Sequence, residues 1–282
     1  MDYACGAVAY DGHDGTDFRV ATRSEAATAR VLAAAAGVVR AIRNDVPDVG
    51  IRDDNAPDIA NRECGNGVVI DHAEGWSTQY CHLARDTVTV RPGLRVSAGA
   101  EIGRIGMSGK TEFPHVHFAV RRNGRIVDPF RPDWTPGACN AGVERGLWSA
   151  AAQQRLGYRD AILLAQGFGG AVPTARSIEA GTTPGFTDGR SDVLAAFVSI
   201  ISLRAGDSAE LRLVAPSGRR LATTRMAELE RPRALHNLIA GIRRPGDGYE
   251  NGEHVAILVV MRRGNILYEK RFSKHVQNVM QR

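Results

Sequence analysis

Short apolar runs that end in glycine, proline or Asx turns recur along this chain, and that rhythm narrows the choice of fold more than any other feature. Runs this brief, rich in β-branched residues, read as strands. In the first part of the chain they fall at residues 30–32, 37–42, 67–71, 77–83, 87–90, 101–107 and 115–121. The alanine-rich stretch 26–36 has helix propensity, but Gly37 and Val38-Val39 argue against continuing a helix there. Residues 44–63 hold Pro, Asp and Asn without periodicity and read as a long surface loop. Later strands are expected at 161–165, 194–203, 209–214, 221–224, 255–261 and 266–272. Turns fall between them at Ala205-Gly206-Asp207, Pro216-Ser217-Gly218 and Arg263-Gly264-Asn265. That spacing predicts a small antiparallel β-sandwich, immunoglobulin-like in size.

The Pro-rich segment from Asp128 to Gly137 marks a boundary. The expected organisation is an all-β chain with a first domain at 1–136, a linker at 137–156 and the β-sandwich at 157–282. A chain of 282 residues with 43% hydrophobic residues can fill two cores. No apolar run approaches the roughly 18 residues of a membrane span. Met1 is followed directly by Asp2 with no secretory pattern, and chemistry-bearing residues begin by His13, so a targeting segment is expected to precede Met1.

The formal charge of +5 is unevenly spread: residues 190–282 carry 16 Lys and Arg against 9 Asp and Glu. A basic C-terminal part would favour an anionic partner such as nucleic acid, acidic lipid or acidic cell-wall polymer, or it is simply a solvated arginine-rich surface. With no helix-turn-helix, stacking motif or cysteine finger beside that charge, nucleic acid is not expected as a partner. Cys5, Cys64, Cys81 and Cys139 show no CxxC spacing, which argues against a cysteine zinc site. Cys64 and Cys81 flank a predicted hairpin with its turn at Ala73-Glu74-Gly75, and a bridge between them would imply an oxidising compartment. Because neighbours in a strand alternate faces, a His82 that points at a site sends Cys81 away from it. The bridge would then staple the hairpin from behind. The pairing of Cys5 and Cys139 is left open.

His115-Val116-His117 carries the most chemistry. Both imidazoles lie on one face of a strand, which usually means a metal, a proton relay, or both. Upstream, Gly12-His13-Asp14-Gly15-Thr16-Asp17 puts a His and an Asp four residues apart in a turn-rich segment, where glycines let both converge on one ion. His82 is embedded in Tyr80-Cys81-His82-Leu83. The loop Gly106-Met107-Ser108-Gly109-Lys110-Thr111 feeds into the His pair and lacks Walker spacing. His72, His236, His254 and His275 have no companion ligands and read as ordinary surface or structural histidines.

In that order, His-x(3)-Asp, Tyr-x-His-Leu, a glycine-flanked Ser loop and Pro114-His115-Val116-His117-Phe118 resemble the lysostaphin-type (LytM-like) zinc endopeptidases of bacterial cell walls. The resemblance covers roughly residues 10–130 and none of the C-terminal half. It implies a twisted antiparallel sheet of the duplicated-hybrid-motif type, with loops walling a groove that the long loop at 44–63 would line. It implies Zn2+ held by His13, Asp17 and His117, with the fourth position open to water as in catalytic zinc sites. It makes His115 the general base and gives His82 charge stabilisation or a share of the proton work. Expected activity is hydrolysis of peptide cross-links in peptidoglycan, in the periplasm or outside the cell. The alternative is a non-hydrolytic peptidoglycan-binding or hydrolase-activating protein; such relatives typically lose ligands, and all five positions are present here.

Overall fold

The computed structural model describes residues 12–51, 53, 58–133, 146–187 and 190–277, which divide into two compact units between Gly157 and Tyr158. Cys5, Cys139 and much of the stretch 137–156 lie outside the described residues. Both units are all-β, as the turn-punctuated sequence predicts. Among the described residues no helix is long and apolar enough to cross a membrane.

The first unit contains strands β1 (Thr16–Arg19), β2 (Arg30–Leu32), β3 (Gly37–Arg43), β4 (Asn66–Asp71), β5 (Trp76–Leu83), β6 (Arg95–Val96), β7 (Glu101–Arg104), β8 (His115–Arg122) and β9 (Arg125–Val127). A seven-stranded antiparallel sheet runs β1-β8-β5-β4-β3-β6, with β9 added on β8, and β2 pairs with β7 separately. Alternation along β8 divides its side chains between two environments. Val116, Phe118 and Val120 enter a core with Val39, Val68, Ile70, Tyr80, Leu83 and Ile102, leaving His115, His117, Ala119 and Arg121 on the other face. Phe18, Phe118 and Phe130 pack around Trp148, with ring centroids 5.5–6.2 Å apart.

The structure departs from the sequence reading at several elements. Residues 87–90 form no strand, although Val90 is buried. The strand expected at 101–107 ends at Arg104, and Ile105 and Gly106 make only isolated bridges to Leu83 and His115. The alanine-rich stretch 26–36 forms no helix of its own: a single helical turn, Arg23–Ala26, capped by the Thr22 side chain on Glu25 N–H, ends at its first residue, and β2 follows within it. Within the stretch 44–63, Val46 and Ile51 are anchored: Asn66 exchanges hydrogen bonds with the Val46 backbone at 2.8 Å, and Ile51 N–H donates to Thr111 O at 2.9 Å.

The second unit contains β10 (Ile162–Gly169), β11 (Val193–Leu203), β12 (Asp207–Val214), β13 (Arg220–Met226), β14 (Arg233–Arg243), β15 (Gly252–Arg262) and β16 (Asn265–Val276). Two antiparallel sheets, β10-β11-β14 and β13-β12-β15-β16, enclose one core in a β-sandwich. Period-two alternation is plain in β12, where Ala209, Leu211 and Leu213 are buried and Glu210 faces outward with Arg225. β14 was not expected, yet it pairs with β11 over ten residue pairs. Asp207, fully buried, accepts from Arg262 Nε and Nη2 at 2.6 and 3.1 Å and from Arg204 N–H at 2.7 Å. A buried carboxylate persists only when its oxygens are satisfied in this way.

Candidate metal centre

Asp17 and His117 are brought together by strand register. The sequence places Asp17 in a turn-rich segment, but it lies on β1, directly opposite His117 of β8. Directly opposed residues share a sheet face, and Asp17 Oδ1 sits 2.9 Å from His117 Nδ1. His13, just ahead of β1, places Nε2 3.0 Å from the same oxygen. His115 places its Nε2 3.4 Å away, nearer than the ~7 Å strand repeat suggests. One carboxylate oxygen thus gathers three imidazoles. One ligand atom from each of His13, Asp17 and His117 lies within 4.8 Å of the others, a group that could hold a metal ion.

Gly15 makes room for this arrangement. A Cβ there would stand 2.6 Å from Phe118 O and 2.7 Å from the His117 ring, closer than real Cβ atoms approach. The chain between the two motif residues therefore runs flush against the imidazole.

His82 reaches the site by a different device. Its φ is +62°, a left-handed conformation uncommon for a residue with a Cβ. Its N–H donates to Cys64 O, and its Nδ1 lies 2.8 Å from Ser108 O. The ring, buried, lies 4.7 Å from that of His115 and 6.1 Å from that of His117. The distortion also corrects the expected position of the disulfide. Cys64 and Cys81 are bonded, with Cα atoms 4.8 Å apart. However, Cys81 pairs with His117 in the ladder and so lies on the site's face of the sheet, not behind it. The left-handed turn at His82 breaks the alternation on which that expectation rested.

Backbone carbonyls fix the tautomers of the two further histidines. His115 Nδ1 donates to Phe113 O at 2.8 Å, and His82 Nδ1 donates to Ser108 O. Each ring therefore keeps its lone pair on Nε2 when neutral. Burial pushes His82 down to about 4, with His115 adding to the effect. Burial likewise pushes His115 down, against the pull of the Asp17 carboxylate. Burial pushes the Asp17 carboxyl up, but hydrogen bonds from His117 and His13 outweigh it and hold the group well below the usual range. For His117 burial lowers the pKa, and the Asp17 and Asp14 carboxylates more than reverse it.

The other histidines are apart from this cluster. His72 bridges Ala36 O and Thr78 Oγ1, His236 neighbours Arg233, and His254 is buried in the second unit. The sequence reading gave no role to Asp14 and Arg121, although both reach the site: Asp14 Oδ1 lies 3.1 Å from His117 Nε2, and Arg121 Nη2 donates to Asp14 Oδ2 at 2.9 Å. Arg121 was legible only as a residue sharing a strand face with His117.

Residues 11–129 match the model of Peptidase family M23. Over 68 residues the chain is 35% identical to the cell division protein DipM of Caulobacter vibrioides, covering 24% of this chain and 11% of that protein. Over 67 residues it is 37% identical to the peptidoglycan DD-endopeptidase ShyA of Vibrio cholerae, covering 24% of this chain and 15% of that one. The chain thus spans only a small part of these relatives' length. Among solved structures, the catalytic domain of the prophage-encoded M23 protein EnpA from Enterococcus faecalis overlaps partially: TM-score 0.34, 25% identity, 49% of this chain and 89% of that one. Three ligand-type side chains converge where the matched motifs fall, and residues 11–129 are similar to a domain of peptidase family M23.

Proposed function

We propose that the first unit is a zinc-dependent endopeptidase that hydrolyses cross-linking peptide bonds of bacterial peptidoglycan, acting in the periplasm or outside the cell. The observation that carries this reading is the convergence of His13, Asp17 and His117 beside two buried imidazoles, those of His82 and His115. Two nitrogens and one carboxylate oxygen suit zinc and leave a coordination position for substrate. A bound zinc supplies Lewis-acid polarisation of water and of the scissile carbonyl. The relatives named as peptidoglycan endopeptidases support the substrate class, and the disulfide supports an oxidising compartment.

The protein's own contribution is proton management. His115, with its lone pair on Nε2, takes the proton of the attacking water and returns it to the leaving amine. His82 carries the same tautomer, so when neutral it accepts rather than donates. It shares the proton work, and it donates to a developing oxyanion only after protonation. Ser108 O holds the His82 ring and Phe113 O the His115 ring, and Asn66 N–H donates to Ser108 Oγ beside them. The β-sandwich serves as an accessory domain whose basic excess favours an anionic envelope partner.

The test is incubation of zinc-loaded protein with purified cross-linked peptidoglycan. New amino groups should appear with wild type and fall to background with His115→Ala. Retention on the wall without any release of amines would refute the hydrolytic reading.

A further inference from the structure

Behind His117, on the side away from Asp17, a chain of polar contacts runs across the sheet. His117 Nε2 lies 3.1 Å from Asp14 Oδ1. The other oxygen of Asp14 accepts from Arg121 Nη2 at 2.9 Å, and Arg121 Nη1 donates to Gln79 Oε1 at 2.7 Å. Gln79 Nε2 in turn lies 3.5 Å from Cys64 Sγ of the disulfide. Register explains why these residues meet: Gln79 pairs with Ala119 and Cys81 with His117, so Gln79, Arg121 and His117 share one sheet face. Asp14 reaches them because Gly15 lets its backbone lie against the His117 ring.

We propose that Asp14 is a positioning residue for the metal centre. It fixes the tautomer and orientation of His117, so that Nδ1 faces the ion, and Arg121, braced by Gln79, holds Asp14 in place. This inference rests on the proposed zinc site and extends it. A histidine can lend its Nδ1 lone pair only with the proton on Nε2, and a carboxylate that accepts that N–H both locks the ring and makes Nδ1 a better donor. Asp14 is near enough to Nε2 to do this, and no carboxylate is needed there for folding. Its side chain is 47% exposed, and exposed ion pairs contribute little to stability. Asp14 sits between the two motif residues at a position whose identity the His-x(3)-Asp pattern leaves free.

The experiment is zinc affinity of the full chain, measured by competition with a chelating dye. Wild type, Asp14→Ala, Asp14→Asn, Arg121→Ala and the double variant Asp14→Ala/Arg121→Ala are compared, and the thermal transition of each metal-free protein is recorded alongside. Asp14→Ala should weaken zinc binding about 10–100-fold, the usual cost of losing such an outer partner. Asp14→Asn, which keeps an acceptor oxygen, should lose less. Arg121→Ala should weaken binding in wild type and add almost nothing once Asp14 is gone, because it acts through Asp14. Zinc affinity within twofold of wild type for Asp14→Ala, or fully additive losses in the double variant, would overturn the proposal while leaving the zinc site intact. Wild type that binds no zinc would instead overturn the underlying site, and the proposal with it. The unchanged metal-free transition expected for all variants separates lost affinity from lost fold.

Discussion

Asp17 and His117 are ladder partners across β1 and β8, a hundred residues apart in sequence, with Oδ1 and Nδ1 2.9 Å apart. The first sheet edge thus assembles the site, since neither His13 nor Asp17 is near His117 unless β1 docks. Replacing Asp17 with Ala should remove zinc binding and leave hydrolysis at the level of metal-stripped protein. Metal content after dialysis, read with the amine-release assay, checks this.

The proposed role of His115 separates binding from chemistry. His115→Ala should retain zinc and lower kcat by about 10²–10⁴-fold, the usual range for a general base. Comparable zinc content with a fall of that size is expected; a loss of zinc would instead make His115 a ligand.

Gly15 is required for steric reasons. Gly15→Ala would bring a methyl group within 2.7 Å of the His117 ring and 2.6 Å of Phe118 O. Relief requires moving either the ring or the β8 backbone, so we expect a loss of about 1–3 kcal/mol of stability together with weaker zinc binding. Denaturant unfolding of the variant provides the check.

The disulfide closes a loop with a sequence separation of 17 residues. The chain-entropy account assigns a bridge over such a loop about 3 kcal/mol. Cys64→Ser/Cys81→Ser should lower the unfolding midpoint of the first unit accordingly. Because Cys81 is opposite His117, activity should also fall in the folded variant.

In the second unit His254 is 1% exposed and its Nδ1 has no hydrogen-bond partner among the described residues. Burial lowers its pKa from 6.5, against weaker raising contributions from the Gly252 backbone and Glu250. The unfolded chain therefore binds the proton more readily, so stability is complete above about pH 6.5 and declines as pH falls through the lowered native value. Thermal unfolding of the second unit should show a midpoint that drops below pH 6.5. His254→Phe should flatten that part of the profile.

Much of this was legible because strands write their period into the sequence. In the 115–121 run His115 and His117 alternate with Val116, Phe118 and Val120, the hairpin was marked by its turn residues Ala73-Glu74-Gly75, and the five candidate site residues stood out by motif spacing. β1 was missed because Thr16–Arg19 is polar, half-buried along its length and held by pairing to β8 rather than by its own apolar face. β14 was missed because Arg233–Arg243 mixes His, Asn and Gly into its pattern, and its identity comes from β11 beside it. The face of the disulfide was misjudged because nothing in a Cys-His-Leu string announces a left-handed φ at His82. Asp14 and Arg121 escaped notice because a charged residue in a turn and another near a strand end look like solvated surface until the sheet joins them.

The most direct measurement is metal dependence of peptidoglycan hydrolysis by the purified full chain. Removing metal with a chelator should stop the release of new amino groups, and one equivalent of zinc should restore it in wild type but not in Asp17→Ala. Continued hydrolysis by verified metal-free protein, or none by the zinc-loaded wild type, would contradict the account.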